Sequence, residues 1–207
     1  MAVTELALLH LLNPLTPSLK SKLLSAKQAM ESFTSHDFHF YTQLQDPSYV
    51  YIIGTWDSVE QHREVWLPSE RNQEILRELE GEVCVEWMFH VDLGDGKGAV
   101  ADDVAPLDAP VLGVARYFVK PGSKDGFGRE LREKRGVIEG YVKPRRVAGG
   151  WRVDGKEGGE EEFVQFTGWE SLEHYGGFKG VEGFGEYLKI KEWAEGCEVR
   201  HAVRLEL

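Results

Sequence analysis

Histidine titrates near neutrality, so its seven occurrences in this chain are the first places where proton transfer could be carried out. His62 falls one turn inside a helix that follows a strand ending at Trp56. There its imidazole could titrate near neutrality; the competing reading is a surface histidine on an amphipathic helix. His36, His39 and Tyr41 lie on another strand, with His39 and Tyr41 on one face and Phe38 and Phe40 on the other. His90 sits late on a further strand. Neighbouring strands could gather these groups, and three histidines invite a metal ion. Neither a helical His-x3-His nor a paired carboxylate supports one, so no metal is expected.

The context of His62 is repeated. "WDSVEQH" (Trp56–His62) returns as "WESLEHY" (Trp169–Tyr175), with the tryptophans 169 − 56 = 113 residues apart. Cys84 and Cys197 are separated by the same interval, 197 − 84 = 113. Ser58 and Ser171 suit helix N-caps, the acids beside them suit a helix N-terminus, and the tryptophans suit anchors of helix to sheet. In the second copy His62 is replaced by Tyr175, with His174 beside it. Two cysteines make no disulfide framework, and buried thiols on equivalent strands are expected.

The elements that must hold these residues follow from periodicity. "ELALLHLL" (Glu5–Leu12) reads as a strand. Thr16-Pro17 then caps and opens a helix whose apolar face is Leu19, Leu23, Ala26, Met30 and Phe33. Phe38–Leu44 and Tyr49–Trp56 read as a hairpin. A helix capped by Ser58, with Gln61 completing a capping box, breaks at Pro68-Ser69, restarts and stops at Gly81. Val83–Val91 closes the unit, with Val83, Val85, Trp87, Phe89 and Val91 expected on one face and Cys84, Glu86, Met88 and His90 on the other. After a Gly, Asp, Ala and Pro stretch the order returns: strand Val111–Lys120, a glycine-punctured helix over 123–142, a hairpin turning at "GKEGGE", a broken helix from Ser171 to about Ala194, and a closing strand. Each half is therefore βαββαβ. The expected fold class is α+β, with a first repeat over 1–93, a linker over 94–109 and a second repeat over 110–207. A four-stranded sheet with helices on one face leaves the other face to be covered. The two repeats are expected to cover each other, sheet to sheet, as an eight-stranded barrel.

Composition narrows the function. A formal charge of −11 argues against nucleic acid and against acidic membrane surfaces. The apolar start is interrupted by Glu5 and ended by Pro14, unlike a signal peptide or a membrane span. The cytosol is the expected compartment. In the second half Arg116, Tyr117, Trp151, Arg152, Arg200 and His201 are strand residues with polar tips. Lys143, Arg145 and Arg146 form a basic segment that reads as a solvated face or as a guide for an anion.

A βαββαβ unit whose third strand runs into W-[DE]-S-x-E-x-H, followed by an aromatic residue and Ser in "EVWLPS", resembles the antibiotic biosynthesis monooxygenase domain. Two such units resemble the tandem proteins of this kind in filamentous fungi. The resemblance implies tandem ferredoxin-like repeats forming a dimeric α+β barrel within one chain, with a small pocket between the helices and the sheet of each unit. It implies oxidation of small aromatic or polyketide-like molecules by O2, with no cofactor. On that reading His62 is the catalytic base. Trp56, Trp66, Tyr51, His39, Tyr41 and His90 are candidate substrate contacts in the first unit; Trp169, His174, Tyr175 and Trp151 are those in the second. Haem-degrading relatives share the tryptophan, but their helical histidine falls where this chain has Trp66, so haem is not expected. A non-catalytic binder of hydrophobic metabolites, or an isomerase or lactone-processing enzyme on the same fold, are the alternatives. The partners expected are a small hydrophobic or aromatic substrate and O2; further pairing into a homodimer is left open.

Overall fold

The computed structural model describes residues 1–93, 105–155 and 161–207. These divide into two compact units, Met1–Val91 with Arg204–Leu207, and Asp92–Val203. Most of the expected linker (94–104) and of the "GKEGGE" turn (156–160) lies outside the described residues.

In the first unit, β1 (Val3–Leu11) leads to α1 (Pro17–Thr34), then to β2 (Phe38–Gln43) and β3 (Tyr49–Trp56). A π-helical turn (Gln61–Trp66), α2 (Glu70–Glu78) and β4 (Val83–Asp92) complete it. The strands pair antiparallel in the order β4-β1-β3-β2. Thr16 Oγ1 accepts from Leu19 N–H at 3.2 Å and Pro17 begins the helix, so two of the unsatisfied donors at this end are accounted for. Leu19, Leu23, Ala26 and Met30 bury the apolar face of α1 against the sheet, each large side chain contributing about 1.5–3 kcal/mol. Phe33, expected on that face, is 39% exposed at the helix end.

Three local departures follow from tertiary structure. Ser58 Oγ accepts from Gln61 N–H at 3.1 Å, but the Gln61 side chain returns to Asp57 N–H (2.9 Å) rather than to Ser58. The turn that follows is π rather than α: Leu67 N–H donates to His62 C=O, five residues back, at 2.9 Å. In β4 the strict alternation expected from Val83 to Val91 fails. Leu8 pairs with Trp87 and Leu9 with Val85, so Glu86 is an extra residue and the faces exchange across it. Val83 and Val85 thereby share a side with Met88 and His90, away from Trp87, Phe89 and Val91. Cys84, expected buried, is exposed on this bulged end, and neither cysteine is in a disulfide.

The second unit has β5 (Val111–Val119), α3 (Lys124–Lys134), α4 (Gly136–Val142), β6 (Val147–Arg152) and β7 (Glu161–Trp169). α5 (Leu172–Gly177), α6 (Phe184–Tyr187) and two 3-10 turns lead to β8 (Ala194–Arg204). Its strands are antiparallel in the order β8-β5-β7-β6. The last four residues of the chain belong to the first unit, where Leu205 N–H donates to Phe40 C=O at 2.8 Å. Among the described residues no helix is long and apolar enough to cross a membrane.

Candidate active site

The period of two along β1 places Glu5, Ala7 and Leu9 on the face that meets the helices. With Leu23, Ala26 and Met30 of α1, the π-turn residues His62 and Trp66, and Ile75 of α2, they enclose a cavity of about 260 Å3. Its lining is apolar apart from Glu5, His62 and Asn72. Asn72 is held in place by donating Nδ2–H to Leu67 C=O at 2.9 Å.

Glu5 lies directly between Gly54 of β3 and His90 of β4 in the sheet register. Gly54 is required there: a Cβ would lie 2.1 Å from Cδ1 of Phe38, whose ring covers the glycine. Glu5 is 4% exposed, and its Oε2 accepts from Trp56 Nε1–H at 2.7 Å. Burial drives its carboxyl up to about 7, the Trp56 hydrogen bond opposing only part of the shift. The His62 ring, which also lines the cavity, stacks on the Trp56 indole, with centroids 4.0 Å apart and planes 4° from parallel. His62 Nδ1 and His90 Nε2 are 2.7 Å apart, both residues buried. One proton is shared across that contact. When His62 Nδ1–H donates to His90, the lone pair of His62 is on Nε2 and the ring is a base; in the opposite tautomer Nε2 carries a proton and can donate it. A carboxyl pushed up to about 7 and an imidazole thus border one apolar space. That combination can remove a proton from a weak acid and hold the resulting charge away from water.

The structure gathers Trp56, His62 and His90, and sets Trp66 in the same wall. It does not bring His39, Tyr41 or Tyr51 to the cavity. Phe40 and Ile52 are its lining residues on β2 and β3, so their neighbours Tyr41 and Tyr51, one residue away, point to the opposite face. His39, on the side of Tyr41, contacts Arg204, and burial is the first cause of its lowered pKa. Glu5 and Asn72 are cavity residues that sequence reasoning missed. The signal for Glu5 was present: a lone carboxylate on the buried face of an otherwise apolar strand requires a partner.

The second unit has a cavity of about 200 Å3 in the corresponding place, which Trp169 and Tyr175 line. His201 pairs with Gly113 as His90 pairs with Glu5. The carboxylate of the first cavity is therefore replaced by glycine and the helical histidine by tyrosine. Tyr175 packs on His201 with ring centroids 4.0 Å apart, and burial drives the His201 imidazole down to about 4. His174 and Trp151 are not among its lining residues: His174 stacks on Tyr141 with centroids 4.6 Å apart, and Trp151 packs on Phe127 and Phe163. In the basic segment Arg145 pairs with Glu170 (2.7 Å) and Asp108, and Arg146 with Asp108 (3.5 Å), as a solvated face would.

Haem does not fit the first cavity. Trp66 fills the helical position from which a ligating histidine would come, and His62 and His90 engage each other. Among the described residues no group of three or more His, Cys, Asp or Glu is placed to hold a metal ion.

No family model matches the chain, and no curated protein sequence matches it. Solved structures do. A candidate monooxygenase of Fusobacterium nucleatum superposes with a TM-score of 0.64 at 11% identity, covering 99% of this chain and 93% of that one. A candidate monooxygenase of Lactobacillus acidophilus gives 0.59 at 9% identity, with 98% and 93% covered. An anthrone oxidase-like protein gives 0.61 at 10% identity, with 99% and 92% covered. Chlorite dismutases are also similar, among them one from Candidatus Nitrospira defluvii with a TM-score of 0.59 at 9% identity, covering 99% and 92%. At these identities the likeness is one of fold: the chain has the α+β architecture found in these monooxygenase-like proteins and chlorite dismutases.

Proposed function

We propose that the first unit is a cofactor-independent monooxygenase acting on a small hydrophobic phenol, enol or polyketide-type acid, and that the chain is a tandem of ferredoxin-like modules of the antibiotic biosynthesis monooxygenase kind. The sheet-to-sheet barrel expected from the sequence is part of the proposal. The observation that carries the functional reading is the His62–His90 contact of 2.7 Å on the wall of an apolar cavity that also holds a buried carboxyl.

In this reading His62 takes the acidic proton of the bound substrate through Nε2, and Nδ1–H donates to His90, which spreads the new positive charge. The substrate anion passes one electron to O2, giving a substrate radical and superoxide. These combine with a new C–O bond to a peroxide, which recovers the proton from His62. Loss of water, with cleavage of the O–O bond and of a C–H bond on the same carbon, leaves a carbonyl. One oxygen atom stays in the product and the other leaves as water. The substrate has lost two hydrogens and gained an oxygen, so no outside reductant is needed. Proton transfer to a positioned base of this kind is worth roughly 10²–10⁴-fold. The apolar walls exclude the water that would otherwise stabilise the ground-state anion.

The test is aerobic and anaerobic incubation with anthrones and phenols that carry no carboxylate under 18O2, followed by mass spectrometry. Label in the product, dependent on His62, is expected. Binding without turnover would replace this reading by a carrier of hydrophobic metabolites, which the apolar lining also favours. Turnover in the absence of oxygen would replace it by an isomerase or lactone-processing enzyme.

A further inference from the structure

The cavity of the second unit has its own chemistry. In the first unit the Trp56 indole N–H donates to the Glu5 carboxylate at 2.7 Å. In the second, the equivalent Trp169 Nε1 lies 2.6 Å from where a Cβ on Gly113 would be, and Gly113 has no side chain to receive it. Among the described residues this N–H makes no hydrogen bond, while both Trp169 and Gly113 line the cavity. An indole N–H is a donor only, and a half-enclosed donor calls for an acceptor oxygen.

The charge is also reversed. No Asp or Glu lines this cavity among the described residues, whereas Lys179 and Lys191 do, and neither forms an ion pair with another described residue. Both are exposed, which places their ammonium groups toward the opening. Deeper, Gln165 donates Nε2–H to Tyr187 Oη (3.0 Å) and to Thr167 Oγ1 (3.2 Å), forming a fixed polar floor. Tyr175, Phe178 and Phe184 supply flat aromatic walls.

We propose that this cavity is a separate binding site for a small aromatic carboxylate, whose own carboxylate oxygen stands in for the Glu5 oxygen that the second unit has lost. Trp169 Nε1–H donates to that oxygen, the aromatic side chains sandwich the ring, and Lys179 and Lys191 favour the anion over its neutral analogue. The first cavity, with Glu5 facing it, disfavours the same anion. The two cavities are therefore ligandable independently, and the second does not depend on the oxidation proposed for the first.

The experiment is 1H–15N correlation NMR of the full chain titrated with benzoate and, separately, with the neutral isostere benzamide. Benzoate is expected to move the Trp169 indole resonance saturably and leave that of Trp56 in place. Benzamide is expected to bind about fivefold or more weakly, since it lacks the charge. The exposed pair Lys179→Gln and Lys191→Gln, made together, should weaken benzoate about tenfold and leave benzamide unchanged, with the spectrum otherwise preserved. A Trp169 resonance that benzoate does not move, equal affinity for the two probes, a matching shift at Trp56, or full benzoate affinity in the double variant would each overturn the assignment.

Discussion

The buried carboxyl of Glu5 makes a quantitative prediction that needs no knowledge of the substrate. In the folded chain it gains its charge at about pH 7, and in the unfolded chain at the ordinary value of 4.5. Below pH 4.5 both states hold the proton and Glu5 imposes no charge penalty. As pH rises through the window from 4.5 to 7, the unfolded chain releases the proton and the folded chain keeps it, so stability falls by about 1.4 kcal/mol per pH unit. Over the whole window the loss is about 3 kcal/mol, and above pH 7 it levels off. Glu5→Gln keeps an oxygen to accept the Trp56 N–H and cannot ionise. The variant carries a pH-independent offset of roughly 1–3 kcal/mol from its added amide donors, so the slope is diagnostic and the absolute difference is not. His201 works in the opposite sense. Its folded pKa of about 4 lies below the ordinary 6.5, so stability falls as pH drops between those values. That contribution is common to both proteins and cancels in their difference. Urea unfolding followed by tryptophan fluorescence, at half-unit steps from pH 4.5 to 8, should show the variant gaining on the parent by about 3 kcal/mol and then running parallel to it. A difference that stays flat across the window would mean that Glu5 ionises as an exposed carboxylate does, and the buried acid would be lost as a member of the site.

Other consequences can be read separately. His201→Gln should remove the acid-side loss of stability, raising Tm relative to the parent at pH 4.5 and leaving it unchanged at pH 7.5, as differential scanning fluorimetry would show. Gly54→Ala pushes a methyl into the Phe38 ring and should cost about 1–3 kcal/mol in urea, because neither the strand nor the ring has room to move. Ala26→Phe fills the first cavity from α1; it should abolish binding of hydrophobic ligands there while the urea midpoint stays level or rises, and a large fall in stability would contradict the cavity. Once a substrate is known, His90→Gln should lower kcat and shift its pH profile while leaving KM nearly unchanged, since His90 acts on substrate through His62.

How far the sequence carries depends on the range of the interaction. The α1 face of Leu19, Leu23, Ala26 and Met30 was legible because helical spacing is a local property. So was the Trp56–Ser58 junction, where a strand hands over to a capped turn. His39, Tyr41 and Tyr51 fall on the face away from the cavity although their strands were recognised, because a strand has two faces and only its partners decide which one meets the helices. The Val83–Val91 alternation failed at one residue, Glu86, where pairing with β1 inserts a bulge that local propensity does not register.

The chain's own residue order shows the return of the Trp56–His62 pattern at Trp169–Tyr175, the positions of most strands and helices, and the presence of His62 after the first tryptophan turn and of Tyr175 after the second. Which groups touch is another matter. Glu5, Trp56, His62 and His90 come from four elements, and they meet through strand register and one π-helical turn, which depend on pairings across many tens of residues. Periodicity describes a segment against itself; only folding brings a carboxyl at the start of the chain against an indole and two imidazoles, and only there does burial change what that carboxyl can do.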